Sequence, residues 1–456
     1  MLSISPLIVA LVVASTPLQG AQAWTTFSVP HAPGADDVPA LMAALQGNSS
    51  YTSDASIVFA PNTTYNVWSP LTFPILTNVE VRIEGNLSYP QNITLVQEGV
   101  ASSNYSGAWI AFAGGNNVTL SGTEDPEWGW MDGYGQQWWD DMQQTNRPQG
   151  WKFGNITDGV ITNLKVYKPP AWNFLTSGST NVHIYNNTII ARSDNASSFP
   201  FNTYVSLQSY RQFTSYRLSS SPKTLYYSDG WNAGGTNLLF EHNYVVNGDD
   251  CLTVGSGAKN VTWRNSYCEG GHGLSIGSLG KGGSVAMVQD ILFENTIMNT
   301  TLYGARYKSW TGGNGAAINV TWRNIMFMDV MFPIYVTQNY WDQGVGGKPN
   351  SSSTNETHIE NFLFENFVGT IQNTPGYKEG SCISDPCWYY VANATGNEVI
   401  ILDLYPDTAL NVVAKNLYAQ TLTGAPVAAM CNSSTTSNDV GFECWDGTYI
   451  PDAIGM

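Results

Sequence analysis

One short pattern recurs along this chain. Asn237-Leu-Leu-Phe-Glu-His-Asn, Asn260-Val-Thr-Trp-Arg-Asn, Asp290-Ile-Leu-Phe-Glu-Asn, Asn319-Val-Thr-Trp-Arg-Asn and Asn361-Phe-Leu-Phe-Glu-Asn each give a polar residue, an alternating apolar strand and an Asn at the corner. Asn181-Val-His-Ile-Tyr-Asn-Asn is an earlier copy, and from Asn237 the steps are 23, 30, 29 and 42 residues. Short strands at a period of roughly 20–30 residues, separated by Gly, Asn and Ser turns, predict a parallel β-solenoid. A β-sandwich would not repeat one signature in this way. Coils stacked about 4.8 Å apart bury Val, Ile, Leu and Phe in a continuous core. The open ends need covers. Asp36-Asp37-Val-Pro-Ala-Leu-Met-Ala-Ala-Leu predicts a capping helix at the N-terminal end, with Asp near the N-cap and Pro in the first turn. The Cys-bearing tail after residue 380 is expected to cover the other end. Helix-period segments are nearly absent after residue 50, and no linker divides the chain. The expected fold is all-β: a single solenoid domain over 24–456.

The first 23 residues are read as a signal peptide. Leu7 to Ala14 is apolar and Ala21-Gln22-Ala23 is a small-x-small cleavage site. The apolar run is too short to span a membrane, and no later stretch is long and apolar enough to anchor the chain. A secreted, extracellular protein is expected. Its six cysteines, Cys251, Cys268, Cys382, Cys387, Cys431 and Cys444, then favour disulfides, and neighbour pairing is the simplest scheme. Sixteen N-x-S/T sequons, among them Asn92, Asn260, Asn319 and Asn393, fit a glycosylated surface. The net charge of −17 argues against nucleic acid or an anionic membrane as partner. A polyanionic substrate would need a local basic site.

Such a site is legible in the spacing. Asp229 is followed 20 and 21 residues later by Asp249-Asp250, His272 comes 22 residues after Asp250, and Arg306-Tyr307-Lys308 begins 34 residues after that. At about one coil per step, these side chains would share one groove. Three carboxylates suit glycoside hydrolysis: one carboxyl protonates the leaving oxygen, and a carboxylate base activates water from about 6.5–9.5 Å away in an inverting enzyme. Crowded like charges keep one carboxyl protonated. Arg306 and Lys308 would hold a substrate carboxylate. Taken alone, an Asp-Asp pair in a turn is usually a turn device, and an Arg-x-Lys is usually a solvated strand face. Their convergence at the repeat spacing is what favours chemistry.

The order Asn247-Gly-Asp249-Asp250, Gly271-His272-Gly273, Arg306-Tyr-Lys308 resembles the polygalacturonases, family 28 of the glycoside hydrolases. His31-Ala-Pro-Gly-Ala-Asp-Asp and Gly129-Trp-Met-Asp-Gly-Tyr-Gly-Gln-Gln-Trp-Trp-Asp extend the match over nearly the whole mature chain. The resemblance implies a right-handed parallel β-helix and inverting hydrolysis at galacturonic acid, with pectic galacturonan as partner and no cofactor or metal. It implies Asp249 as general acid, Asp229 and Asp250 activating water, His272 supporting the acid or positioning the sugar, and Arg306 and Lys308 on the carboxylate. Tyr307 stands where the family usually has Ile. The long mature chain, the extended tail and Trp310 lean towards exo action, and a monomer is expected. Endo action, a rhamnogalacturonan hydrolase and a catalytically dead wall-binding solenoid remain as alternatives. A β-helix lyase would want calcium ligands instead of this Asp triad.

One segment departs from the family. Asp229 is preceded by Tyr227-Ser228, where members carry Asn-Thr-Asp-Gly, while Asn202-Thr203 stands upstream. Removing 204–228 restores Phe-Pro-Phe-Asn-Thr-Asp-Gly-Trp and cuts the Asn181-to-Asn237 step from 56 to 31 residues. The 25 residues are read as a translated intron, or else as a true cleft loop, expected to be poorly packed at the cleft rim.

Overall fold

The computed structural model describes residues 24–47, 49–194, 228–341, 356–373, 391 and 394–444. The expected signal peptide 1–23, the pair Cys382 and Cys387, the sequon Asn393 and residues 204–227 lie outside the described residues. Among the described residues the strands pair in parallel from coil to coil: Val261 of the Asn260 copy pairs with Ile291, Ile291 with Val320, Val320 with Phe362 and Phe362 with Val412. A second inward column runs Phe240, Trp263, Phe293, Trp322, Phe364. Both columns are buried. The fold is thus a parallel β-helix, with one long sheet on the repeat side and an 11-stranded sheet on the other.

The corner asparagines explain the repeat. Asn237, Asn260, Asn319 and Asn361 all sit at φ between 54° and 57°, and five residues on His242, Asn265, Asn324 and Asn366 do so again at φ between 51° and 58°. This left-handed region penalises most side chains, and Asn tolerates it best after Gly. The first set also forms a ladder: Asn260 Nδ2 donates to Asn237 Oδ1 at 2.9 Å, Asn319 to Asp290 at 2.8 Å and Asn361 to Asn319 at 3.0 Å. The sequon residues Asn260 and Asn319 therefore have their amides committed to the ladder. Between the corners Val261 and Trp263 point inward, while Thr262 and Arg264 point outward. Asn237 donates to Asn181 at 2.8 Å across 56 residues, and Val182 pairs with Leu238. The strands on either side of 204–228 thus pair in the same register as their neighbours.

The N-terminal helix spans Val38–Leu45 and buries Val38, Leu41 and Leu45 against the first coil. Its N-cap Asp37 makes no side-chain cap. Asp36 accepts from the Val38 N–H at 3.1 Å, and Asp37 instead binds the Ala32 and Asn66 N–H groups at 2.9 and 2.8 Å. A second helix, Ile93–Ala101, was not expected; Asn92 caps it by accepting from the Leu95 N–H at 3.2 Å. Beyond residue 380 the chain first adds another coil, with strands Glu398–Asp403 and Ala409–Thr421. Only then does it form a cover, where Asn438 bonds both the Val412 N–H and C=O and Val440 accepts from the Ala414 N–H. The disulfide Cys431–Cys444 closes that cover, and Cys251–Cys268 forms as expected. Among the described residues no helix is long and apolar enough to cross a membrane.

Candidate active site

The 11-stranded sheet floors a groove of about 500 Å³ lined by Asp229, Asp249, Asp250, His272, Arg306 and Lys308 among others. The structure therefore brings all six expected residues together. Strand register refines their phase. Asn232, Thr253, Ser275 and Arg306 form one column across neighbouring strands. Asp229, Asp250 and His272 each stand three residues before that column, and the matching position on the next coil is Tyr303. Arg306 is thus not in the carboxylate column, as equal steps would have it. It lies further along its strand and reaches back over the Tyr303 ring, 4.2 Å from the centroid. Strand alternation sends Arg306 and Lys308 to the groove and Tyr307 between them to the core. There the Tyr307 hydroxyl donates to the Thr357 carbonyl at 3.2 Å and the ring meets Phe362 edge-on, so the core accepts Tyr in place of Ile.

The turn that carries the acidic pair is fixed from several sides. The Asn247 amide donates to the carbonyls of Ser228, Asp249 and Asp250 at 2.9, 3.0 and 2.9 Å. The Gly248 N–H donates to Ser228 Oγ at 2.8 Å. A Cβ on Gly271 would strike the Asp249 carbonyl and the Asn247 side chain, which is why the next coil has Gly there. Cys251, one residue on, is tied to Cys268. Asp229 is held through its carbonyl, which accepts from the Asn173 backbone N–H at 3.0 Å and its side-chain amide at 2.9 Å. Ser228, the one described residue of the interruption, is only 1% exposed. The expectation of poor packing fails at that residue, because its hydroxyl and carbonyl both hold the acidic turn.

The charges are buried and interlocked. Lys308 Nζ lies 2.6 Å from Asp250 Oδ2, Arg306 Nη1 lies 3.5 Å from Asp250 Oδ1, and the Ser275 hydroxyl donates to the same Oδ1. His272 Nδ1 lies 3.1 Å from Asp249 Oδ1 and 3.3 Å from Arg306 Nη1. One nitrogen cannot serve both: with its proton it donates to Asp249, without it it accepts from Arg306. Burial, and then repulsion from Asp249 and Asp250, push the Asp229 carboxyl well above the usual carboxylate range. Burial alone would also push Asp249 up. The charge and hydrogen bond of His272, then Lys308 and Arg306, outweigh it and hold Asp249 at about 2. Ligand atoms of Asp249, Asp250 and His272 lie within 4.8 Å of one another, with Lys308 and Arg306 supplying positive charge to them. The two adjacent acids and the imidazole thus face one another across a short gap. Sequence reasoning missed Ser275 and Ser228, whose hydroxyls carry no pattern of their own.

The family model for glycosyl hydrolases family 28 matches residues 53–386. The chain belongs to this family. It is a glycosidase. The "Probable exopolygalacturonase C" of Aspergillus niger is 36% identical over 90% of this chain and 88% of its own length. Its namesake from Aspergillus terreus is 36% identical over 91% and 90%. In three dimensions the family 28 chain resembles the endo-xylogalacturonan hydrolase of Aspergillus tubingensis, with a TM-score of 0.68 at 20% identity over 93% of this chain and 100% of that one. The hyperthermoactive exopolygalacturonase of Thermotoga maritima gives 0.55 at 13% identity, over 93% of each chain. These structures share the right-handed parallel β-helix.

Proposed function

We propose that this family 28 glycosidase is a secreted exo-polygalacturonase, a monomer that releases galacturonic acid from pectic galacturonan with inversion. The observation that carries the reading is the meeting of three buried carboxylates from neighbouring coils with Arg306 and Lys308 in one groove. Asp249 acts as general acid, Asp229 and Asp250 hold and activate the water, and His272 sets the state of Asp249. Arg306 and Lys308 bind the uronate carboxylate with the donors that Asp250 does not take.

The proton must reach Asp249 for this to work. Two of the charges that hold Asp249 low are Lys308 and Arg306. A uronate carboxylate docking on them cancels part of their field, so Asp249 takes up a proton more readily as substrate arrives. The raised carboxyl of Asp229 is the nearby source of that proton. As the proton leaves, Asp229 becomes the base that the water needs.

Product analysis tests the reading. Polygalacturonate should yield galacturonic acid from the first minutes while its viscosity falls slowly. Proton NMR of the early product should show the inverted anomer. A fast viscosity drop would refute exo action, and a retained anomer would refute the assignment of acid and base.

A further inference from the structure

The groove is lined by a third side-chain cation, Lys281, which the acid and base chemistry does not use. Lys308 and Arg306 both face Asp250, at 2.6 and 3.5 Å. Lys281 has no carboxylate within ion-pair distance among the described residues, and it is exposed. Its Nζ instead sits over the Trp310 ring, 4.7 Å from the centroid. An uncommitted cation at the wall of an acidic groove, in a chain of net charge −17, calls for a ligand.

We propose that Lys281, seated on Trp310, binds the carboxylate of a galacturonate unit next to the one gripped by Arg306 and Lys308. The inference rests on the galacturonan reading above. In such a polymer every unit carries a carboxylate, and Arg306 and Lys308 answer only one. Asp229, Asp250 and His272 stand before their strands, whereas Lys281 follows the strand Leu274–Leu279. It therefore occupies the opposite edge of the groove floor.

The pedestal is rigid. The Trp310 side chain is buried and is met edge-on by Tyr340 at 5.1 Å and Trp341 at 5.5 Å. Gly280, just before Lys281, has φ 78°, and a Cβ there would come within 2.8 Å of Gly313 Cα and 3.0 Å of Asn314 N. The turn is thus packed on the backbone of the next coil. A ring face holds an ammonium without consuming its three N–H donors. Lys281 is in this way pre-positioned for an anion, with less side-chain freedom to lose on binding.

Calorimetry with trigalacturonate tests this, using an Asp249→Asn background to prevent turnover. Adding Lys281→Met keeps the aliphatic stem and should raise Kd about two- to fivefold, the scale of an exposed charge contact. Lys281→Arg should stay within about twofold of the parent on the same scale. The Met effect should shrink with salt and vanish on the methyl-esterified trimer. An unchanged Kd for Lys281→Met, or an equal loss on the ester, overturns the proposal, and absence of any trimer binding by the parent overturns it too. Hydrolysis by the unmodified chain is read separately: failure there with a Lys281-dependent Kd would refute the function and leave this site standing.

Discussion

Two columns of charge run along this solenoid, on opposite sides of its core. On the repeat side Glu241, Arg264, Glu294, Arg323, Glu365 and Lys415 pair in register from coil to coil. The signs alternate without a break. Arg264 meets Glu241 at 2.8 Å, Arg323 meets Glu294 at 2.6 Å and Lys415 meets Glu365 at 2.9 Å. In the groove the order is different: Asp229, then Asp249 and Asp250, and only later Arg306 and Lys308. Stacking at coil spacing makes every charge a neighbour of the next, and alternation is the arrangement that costs least. The repeat side follows it. The groove places acids on adjacent coils and buries them, which raises Asp229 and leaves a proton to be moved. Departure from alternation is where the fold gives up stability for chemistry.

The largest contrast should come from removing one charge from each column. Asp249→Asn should lower kcat by about 10²–10⁴-fold, the range for a general acid, and should lower the thermal midpoint at neutral pH, because the ionised Asp249 favours the fold. Steady-state kinetics on polygalacturonate gives the first number and calorimetry the second. An active Asp249→Asn chain would move the acid role to another groove carboxyl.

Stability should respond in the reverse sense at Asp229. Its carboxyl lies above its unfolded value, so its contribution to stability is present below about pH 4 and is lost as pH rises through the raised value. Asp249 has the opposite sign: held at about 2, it favours the fold above about pH 4 and loses that only as pH falls towards 2. Asp229→Asn should therefore stabilise the chain at pH 7 by about 1–3 kcal/mol while abolishing most activity. The gain should fade on acidification. Midpoints of Asp229→Asn and the unmodified chain that differ equally at pH 3 and pH 7 would show that the groove is not strained by charge.

The repeat column should be quieter. Glu294→Gln takes the partner from Arg323, which is 41% exposed. Solvent screens such a pair, so the cost should be about 1 kcal/mol or less, declining with salt, and activity should be untouched. A large loss of activity would mean that the repeat side transmits order to the groove.

The two columns were unequally legible in the sequence. The repeat side was plain, because the copies show Asn at nearly every corner, Asp290 and His242 excepted, and a charge before the second. The six groove residues were also found from their spacing, but not their phase. Coil lengths vary, so counting residues between charges put Arg306 in the carboxylate column when Tyr303 holds that place. The helix Ile93–Ala101 escaped because it buries little beyond Val96. Lys281 escaped because a single Lys in a Gly-rich turn has no period to reveal it.

The smallest effect is expected where the sequence looked most irregular. Ser228 serves the acidic turn with two groups: its hydroxyl accepts from the Gly248 N–H and its carbonyl from the Asn247 amide. Deleting 204–228 puts Thr203 directly before Asp229, and Thr supplies the same hydroxyl and carbonyl. The strands on either side already pair in register across the step, as Asn237 bonded to Asn181 demonstrates. Loop length adds little closure cost, so shortening it should shift stability by only about 1 kcal/mol or less. The deleted chain should fold and hydrolyse polygalacturonate at or above the rate of the full one. A tenfold loss of kcat/KM would show that the segment belongs to the working groove. Peptides from 204–228 in an active secreted preparation would reject the intron reading independently. Both results together would turn the interruption into a true part of the enzyme, with Ser228 as its anchor at the catalytic turn.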